Sequence, residues 1–200
     1  MEVGLNRGVL KAILKLKMPL ARIEKYIRQL PSVRNIQDEK ENGKCLNEVK
    51  VAAVQREIKA VKRIENYIDM VNDFIVEACK QGCQLIVFPE YNFFDLFGLI
   101  PGFRFLNDYL NNKAKGSKSS GTGKKTESNG AEIIDEDLDG KLDVSLFASI
   151  LRAVAKPFEE SLCYIFSLLA KKHGIYVYTG SFLVCRDEEL YNVGFLYDPG

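Results

Sequence analysis

A glutamate stands directly after an apolar segment that should be buried. The segment "LIVFPEYN" runs from Leu85 to Asn92, and Glu90 follows four apolar residues and Pro89. In open α/β sheets chemistry collects beyond the carboxyl ends of the strands, and proline suits a strand end that needs no ladder donor. The residues flanking the carboxylate are aromatic: Phe88, Tyr91, Phe93 and Phe94. These rings should partly desolvate Glu90 and so raise its pKa, which would suit the carboxylate to exchange protons near neutral pH. The alternative interpretation is that the carboxylate only caps the next turn.

The acidic stretch "DEDLDGKLD", from Asp135 to Asp143, has the spacing of a calcium-binding loop in its first positions. Its glycine, Gly140, also falls where an EF-hand needs one. The twelfth position should be a bidentate glutamate and is Leu146, and no helical stripe precedes the loop. We therefore favour a solvated acidic segment that faces the neighbouring basic loop over a calcium site.

The single histidine and the cysteines offer weaker candidates. His173 lies at a predicted helix end beside two lysines, where a cation that favours the helix C-terminus is a simpler interpretation than a catalytic base. The five cysteines are irregularly spaced: Cys45, Cys79, Cys83, Cys163 and Cys185. They lack the second pair that a zinc site needs, so we expect thiols in a reducing cytoplasm, no metal and no cofactor.

Composition limits the classes of function. The 200 residues predict one domain, or one domain plus an appendage, and 46% of them are hydrophobic. With 28 Lys and Arg against 27 Asp and Glu, the net charge of +1 predicts no nucleic-acid partner. No apolar run reaches about 18 residues, so we expect no membrane span. Lysines interrupt the apolar N-terminus, and we expect no signal peptide there.

Residues 1–48 form a basic extension with its linker. Positions 1–34 hold eight basic residues and two acidic ones, and two apolar stripes predict short amphipathic helices on either side of Pro19. The stripes are Val9, Leu10, Ile13 and Leu14, then Leu20, Ile23, Ile27 and Leu30. Such helices can lie on an anionic membrane or on nucleic acid, but docking on their own domain or on a partner subunit is favoured.

Residues 49–200 alternate between strand and helix patterns. A largely buried strand in "VKVAAVQ", a helix over about 60–81 that ends at Gly82, and the strand "CQLIVFP" predict a parallel βαβ unit. A flexible insertion is predicted over about 111–143, and a helix after it with a break at Pro157. The last two strands, "IYVYTGSFLV" and "LYNVGFLYD", are joined by the polar turn "CRDEE".

The order of "KVAAVQ", "CQLIVFPE", "LAKKHGIYVYTGSFLV" and "LYNVGFLYDPG" resembles the nitrilase, or carbon–nitrogen hydrolase, superfamily. The resemblance covers residues 49–200 apart from the insertion, and it implies an α/β fold, a four-layer αββα sandwich. It also implies a Cys–Glu–Lys site in which a thiolate attacks an amide or nitrile carbon. The glutamate serves as general base and then acid, and the lysine stabilises the oxyanion. Glu90 matches the glutamate, and Asn192 in "YN" matches a polar residue that we interpret as structural.

The family's lysine follows the turn that is here Asp198 to Gly200, and its cysteine comes later still. Neither position exists in this chain, so we expect a sandwich incomplete at its C-terminus that carries one of three catalytic residues. The resemblance implies a cytoplasmic homo-oligomer that hydrolyses non-peptide amides or nitriles. The alternative is an inactive truncated relative that serves as a binding or scaffold module. A membrane acyltransferase with the same domain is the weakest alternative, because a transmembrane segment is absent from the sequence pattern.

Overall fold

The computed structural model describes residues 6–33, 48–103 and 136–200, and within 136–146 it describes the backbone alone. Cys45, Asp135 and most of the predicted insertion over 111–143 lie outside these residues. The described part of the chain is a mixed α/β structure with four α-helices and one four-stranded sheet.

The sheet has its strands in sequence order. They are β1 (Val51–Ala53), β2 (Leu85–Val87), β3 (Tyr176–Arg186) and β4 (Glu189–Tyr197). β1 pairs with β2 and β2 with β3 in parallel, so the predicted βαβ unit is confirmed. β3 and β4 form the predicted antiparallel hairpin, and Asp187 and Glu188 adopt the positive φ angles (50° and 64°) of a tight turn.

The helix predicted between β1 and β2 is α3 (Ile64–Lys80), somewhat shorter than expected. All six residues of its predicted stripe are buried: Ile64, Tyr67, Ile68, Val71, Ile75 and Ala78. Gly82 has a φ of 72°, the left-handed conformation that was expected to end this helix. The periodicity of the sequence therefore predicted both the buried face and the end of α3.

Helix α4 (Glu136–His173) corrects two expectations. The break predicted at Pro157 is wrong, because the proline is buried inside one continuous helix. An interior proline costs about 3 kcal/mol, which burial of the long apolar stripe on both sides of it outweighs. Residues 136–143 of the predicted insertion are helical too, which excludes a calcium loop there, since such a loop must wrap around its ion.

The extension folds into the two predicted helices, α1 (Arg7–Lys17) and α2 (Leu20–Gln29). Both pack against α4, and α2 also contacts α3, so the extension docks on its own domain. Polar contacts fix α2: Tyr26 donates to Asp69 at 2.6 Å, Tyr164 of α4 donates to Glu24 at 2.8 Å, and Arg22 pairs with Glu65. No helix in the described ranges combines the length and apolar composition that crossing a membrane requires.

His173 joins three parts of the chain at the end of α4. Its Nδ1 lies 3.2 Å from the Val33 nitrogen, and its Nε2 lies 2.9 Å from Oδ1 of Asn72 in α3. The side chain is fully buried, and this burial lowers the pKa of the imidazole. The expectation of a cation at the helix end is therefore wrong, because desolvation of the buried imidazole disfavours its charged form despite the attraction of the helix terminus.

Of the two faces of the sheet, the described helices cover one. On the other face, which we call the open face, the side chains of Val51, Tyr176, Tyr178 and Leu196 are 37–62% exposed. The register places Val51 in line with Tyr176, and Tyr178 directly opposite Leu196, so these side chains share one surface. The expectation of a largely buried first strand is wrong for this reason: β1 has one covered face and one open face.

We expect His173 to make stability depend on pH. The unfolded imidazole titrates near pH 6.5 and the folded one lower, so the unfolded state binds more protons between the two values. The stabilising contribution of the neutral, buried His173 is therefore complete above about pH 6.5, and the free energy of unfolding falls as the pH drops below that value. Urea denaturation of the parent and of His173→Gln between about pH 7.5 and pH 5 should show a slope in the parent alone. An equal slope in both would contradict this, since the chain has no other histidine.

We also expect the open face to cause self-association of the 200-residue chain. Apolar side chains on an exposed sheet face beside the edge strand β4 favour pairing with other molecules. Leu196→Asp should reduce the mass measured by light scattering, whereas Leu16→Asp on α1, also at an exposed leucine, should leave it unchanged. A monodisperse monomer of the parent chain at micromolar concentration would contradict this expectation.

Candidate functional site

Glu90 lies just beyond the carboxyl end of β2, as its sequence position predicted. The strand pairing continues for one more residue, because the Phe88 N–H donates to the Tyr178 carbonyl at 2.9 Å. Oε1 of Glu90 accepts a hydrogen bond from Nδ2 of Asn192 at 2.7 Å. Asn192 and Leu196 lie an even number of residues apart on β4, so their side chains point to the same, open face. The Glu90 carboxylate, bonded to Asn192, lies on that face too.

The Glu90 side chain is exposed, and the desolvation expected from its aromatic neighbours is wrong for this chain. Phe88 and Phe93 are each 2% exposed and point into the core. Phe88 packs edge-on against Phe166 of α4 at 5.3 Å, and Phe93 stacks on Phe94 at 4.8 Å. Phe88 and Phe93 thus anchor the segment around Glu90 to the core, and the carboxylate itself remains in solvent.

The backbone beside Glu90 is strained. Tyr91 has a φ of 57°, a left-handed conformation that costs a non-glycine residue about 1–2 kcal/mol. Its N–H donates to the Ser181 carbonyl at 2.9 Å. Gly180 (φ 69°) lies so close that a Cβ there would stand 1.9 Å from the Pro89 carbonyl oxygen. The turn that carries Glu90 is therefore pressed onto β3 at the register shift between Tyr178 and Ser181.

A buried amide, Asn92, holds this turn from the other side. Its Nδ2 donates to the Thr179 carbonyl at 3.3 Å, and its Oδ1 accepts from Nη2 of Arg56 at 2.8 Å. The Asn92 carbonyl accepts from Arg56 again at 3.0 Å and from the Tyr67 hydroxyl at 3.1 Å. Burial raises the pKa of Tyr67, so this hydroxyl remains a donor. Asn92 thereby links β3, α3 and the segment after β1.

Arg56 completes the network through a buried ion pair with Asp95. The side chains of Arg56 and Asp95 are 4% and 0% exposed, and the guanidinium contacts both carboxylate oxygens. Asp95 also accepts from the backbone N–H of Lys59 at 2.7 Å. The sequence patterns missed both residues: Arg56 follows β1 by three residues, but Asp95 follows β2 by eight, so no short motif contains the pair.

The other sequence candidates lie elsewhere. His173 is at the far end of α4, bonded to Val33 and Asn72. Cys79 and Cys83 are buried at the end of α3, and burial raises the pKa of Cys79 to about 11. The described ranges contain no group of three or more His, Cys, Asp or Glu side chains arranged to hold a metal ion. Among the candidates whose side chains the structure describes, it joins only Asn192 to Glu90.

Comparisons of the chain with models of known families, with curated proteins and with solved structures find no match. The function of the Glu90 turn is therefore inferred from its geometry and from the sequence motifs around it. The motifs and the geometry share Glu90 and Asn192, which the structure joins by a hydrogen bond.

Removing one partner of the buried ion pair should destabilise the fold strongly. Arg56→Met leaves Asp95 charged and uncompensated in the core, which typically costs about 3–5 kcal/mol of unfolding free energy. Lys59→Met, which removes an exposed pair with Glu57, should change stability little. Arg56→Met combined with Asp95→Asn should recover part of the loss, because the amide is neutral and still accepts from Lys59. Urea denaturation that finds Arg56→Met no worse than Lys59→Met would refute the assignment.

Proposed function

We propose that the chain provides the N-terminal part of a carbon–nitrogen hydrolase domain, with Glu90 as its general base. The reaction is hydrolysis of a non-peptide amide or nitrile, with a cysteine as nucleophile and a lysine as oxyanion partner. The observation that supports it best is the placement of Glu90 on a strained turn at the carboxyl end of a parallel strand. This is where open α/β sheets collect their chemistry.

Preorganisation of the Glu90 turn supports a chemical role. A left-handed Tyr91, a close approach of Gly180 and a buried polar network all act on one short segment. Strain of this kind persists only where the surrounding contacts over-determine it, and it clusters at functional sites. A carboxylate whose only task was to cap a turn would need none of these supports. Asn192 further orients the carboxylate and leaves Oε2 for a proton or a substrate.

Cys79, Cys83 and Cys163 are poorly suited to serve as the nucleophile in this proposal. Cys79 in the last turn of α3 and Cys83 just after the helix are buried, and burial raises the pKa of both Cys79 and Cys163. Reactive cysteines have a lowered pKa and some exposure, because the thiolate is the attacking species. The proposal therefore assigns the cysteine and the lysine to residues that would follow Gly200 in a longer protein, in the order that the resemblance implies.

The open face fits the finer architecture that we propose. In a four-layer αββα sandwich, a second sheet with its own helices would cover the side chains of Val51, Tyr176, Tyr178 and Leu196. The same layer would enclose Glu90 and Asn192, since both lie on this face. Closure would then exclude water and desolvate the carboxylate, which is how a glutamate becomes a base near neutral pH.

A binding module remains the second candidate, and the open face favours it. An exposed apolar surface on a sheet suits a partner protein as well as a second sheet of the same protein. In that case the carboxylate of Glu90 would contribute a polar contact at the rim of the interface. The two candidates differ in whether Glu90 is needed for turnover or only for association.

Hydrolytic activity separates these candidates. We expect no turnover of amides or nitriles by the 200-residue chain, because a general base alone contributes about 10²- to 10⁴-fold, far less than amide hydrolysis requires. A longer protein that adds the cysteine and lysine should be active, and Glu90→Gln in it should lower kcat at least about 100-fold. The amide keeps the acceptor for Asn192, so folding should be unaffected.

The matched control is Glu189→Gln, which alters an exposed glutamate on β4 that bonds to Tyr191. It should leave both activity and thermal stability near the parental values. Near-parental activity of Glu90→Gln in an active longer protein would exclude the role of general base. Absence of activity in the longer protein itself would instead favour the binding module.

A further inference from the structure

Helix α1 is apolar on two sides, and one of them packs against the described part of the domain. Leu10, Leu14 and Met18 are 0–4% exposed and pack against the domain. On the opposite side Val9 is 54% and Leu16 is 79% exposed. With about 100° between successive residues, Val9, Ala12, Ile13 and Leu16 align in one row, which we call the outer stripe.

Basic side chains flank the outer stripe. The same projection places Lys15, with Lys11 beyond it, along one side of the outer stripe and Lys17 along the other. All three lysines are exposed, and α1 contains four cationic residues and no acidic one. Within the described residues, none of these lysines has a carboxylate partner within 4.0 Å.

The positive surface continues from α1 onto α4. Arg152 and Lys156 line a shallow cavity together with Arg7 and Lys11. Its acidic members are Asp187 and Glu188 of the hairpin turn, and Arg7 already pairs with Glu188 at 3.3 Å. Four cations against two carboxylates leave this surface positive, on the side of α1 that carries Lys11.

We propose that α1 rests on the surface of a membrane that contains anionic lipid. An apolar row between lysines allows the helix to lie in the plane of the interface, with Val9 and Leu16 at the boundary between headgroups and acyl chains. The lysine stems extend along the apolar surface while their charged ends stay at the headgroups. Nucleic acid would match the charges and leave the outer stripe in water, and an apolar protein groove would match the stripe and leave the lysines unpaired.

The contact is weak and reversible, because α1 has 11 residues and the outer stripe has few large side chains. Each lysine near an anionic surface strengthens partitioning about fivefold. Binding should therefore rise steeply with the fraction of anionic lipid and fall with salt. This interaction is independent of the proposed hydrolase function, because the outer stripe and Glu90 lie on different elements.

Flotation in a density gradient tests the proposal with the 200-residue chain and vesicles of known composition. The chain should float with vesicles in which about a third of the lipid is phosphatidylserine, and not with phosphatidylcholine alone. Flotation is preferred over sedimentation, because self-associated protein sinks and is not counted. Equal flotation with both lipids, or with neither, would overturn the proposal.

Variants place the contact on α1. Leu16→Asp should abolish flotation, and changing Lys11, Lys15 and Lys17 together to Gln should weaken it about 100-fold. Leu196→Asp on the open face is the matched control and should float like the parent. Loss of flotation in Leu196→Asp but not in Leu16→Asp would refute the assignment. So would salt-sensitive binding to duplex DNA with no flotation. Unchanged thermal transitions show that each variant is folded, as expected for exposed positions.

Discussion

The buried ion pair between Arg56 and Asp95 is the contact on which the candidate site depends. It joins the segment that follows β1 to the segment that follows β2, so it ties together the carboxyl ends of two parallel strands. Two charges in a core are tolerated only when their remaining donors and acceptors are also satisfied. Asn92, Lys59 and the Glu57 carbonyl meet that need, and the bonds to Asn92 hold the turn that carries Glu90.

The asymmetry of the sheet follows from the same arrangement. Helices α3 and α4 bury one face, and the ion pair and the aromatic residues fill the space at its edge. Glu90 and Asn192 are left on the opposite, open face. Any layer or partner that covered Val51, Tyr178 and Leu196 would therefore also change how much water reaches the Glu90 carboxylate.

Local patterns predicted the elements well where a single rule dominates, as for the stripe of α3, its end at Gly82 and the hairpin turn. They failed where tertiary contacts decide. Pro157 stays helical because burial on both sides outweighs a local penalty, and His173 is buried because α3 and Val33 cover it. Glu90 was located correctly, but its exposure depends on which side of the sheet is covered, and no single segment of sequence contains that information.

For helix α1, docking on its own domain does not exclude binding to a membrane surface. A helix of 11 residues is marginal in water alone, so α1 depends on burial of Leu10 and Leu14 against the domain. Docking fixes the helix before any partner arrives, and it turns Val9 and Leu16 outward in a set orientation. Binding of a surface to the outer stripe therefore carries no cost for folding helix α1. The packing of Leu10 and Leu14 that holds α1 on the domain therefore also fixes the direction in which the outer stripe faces solvent.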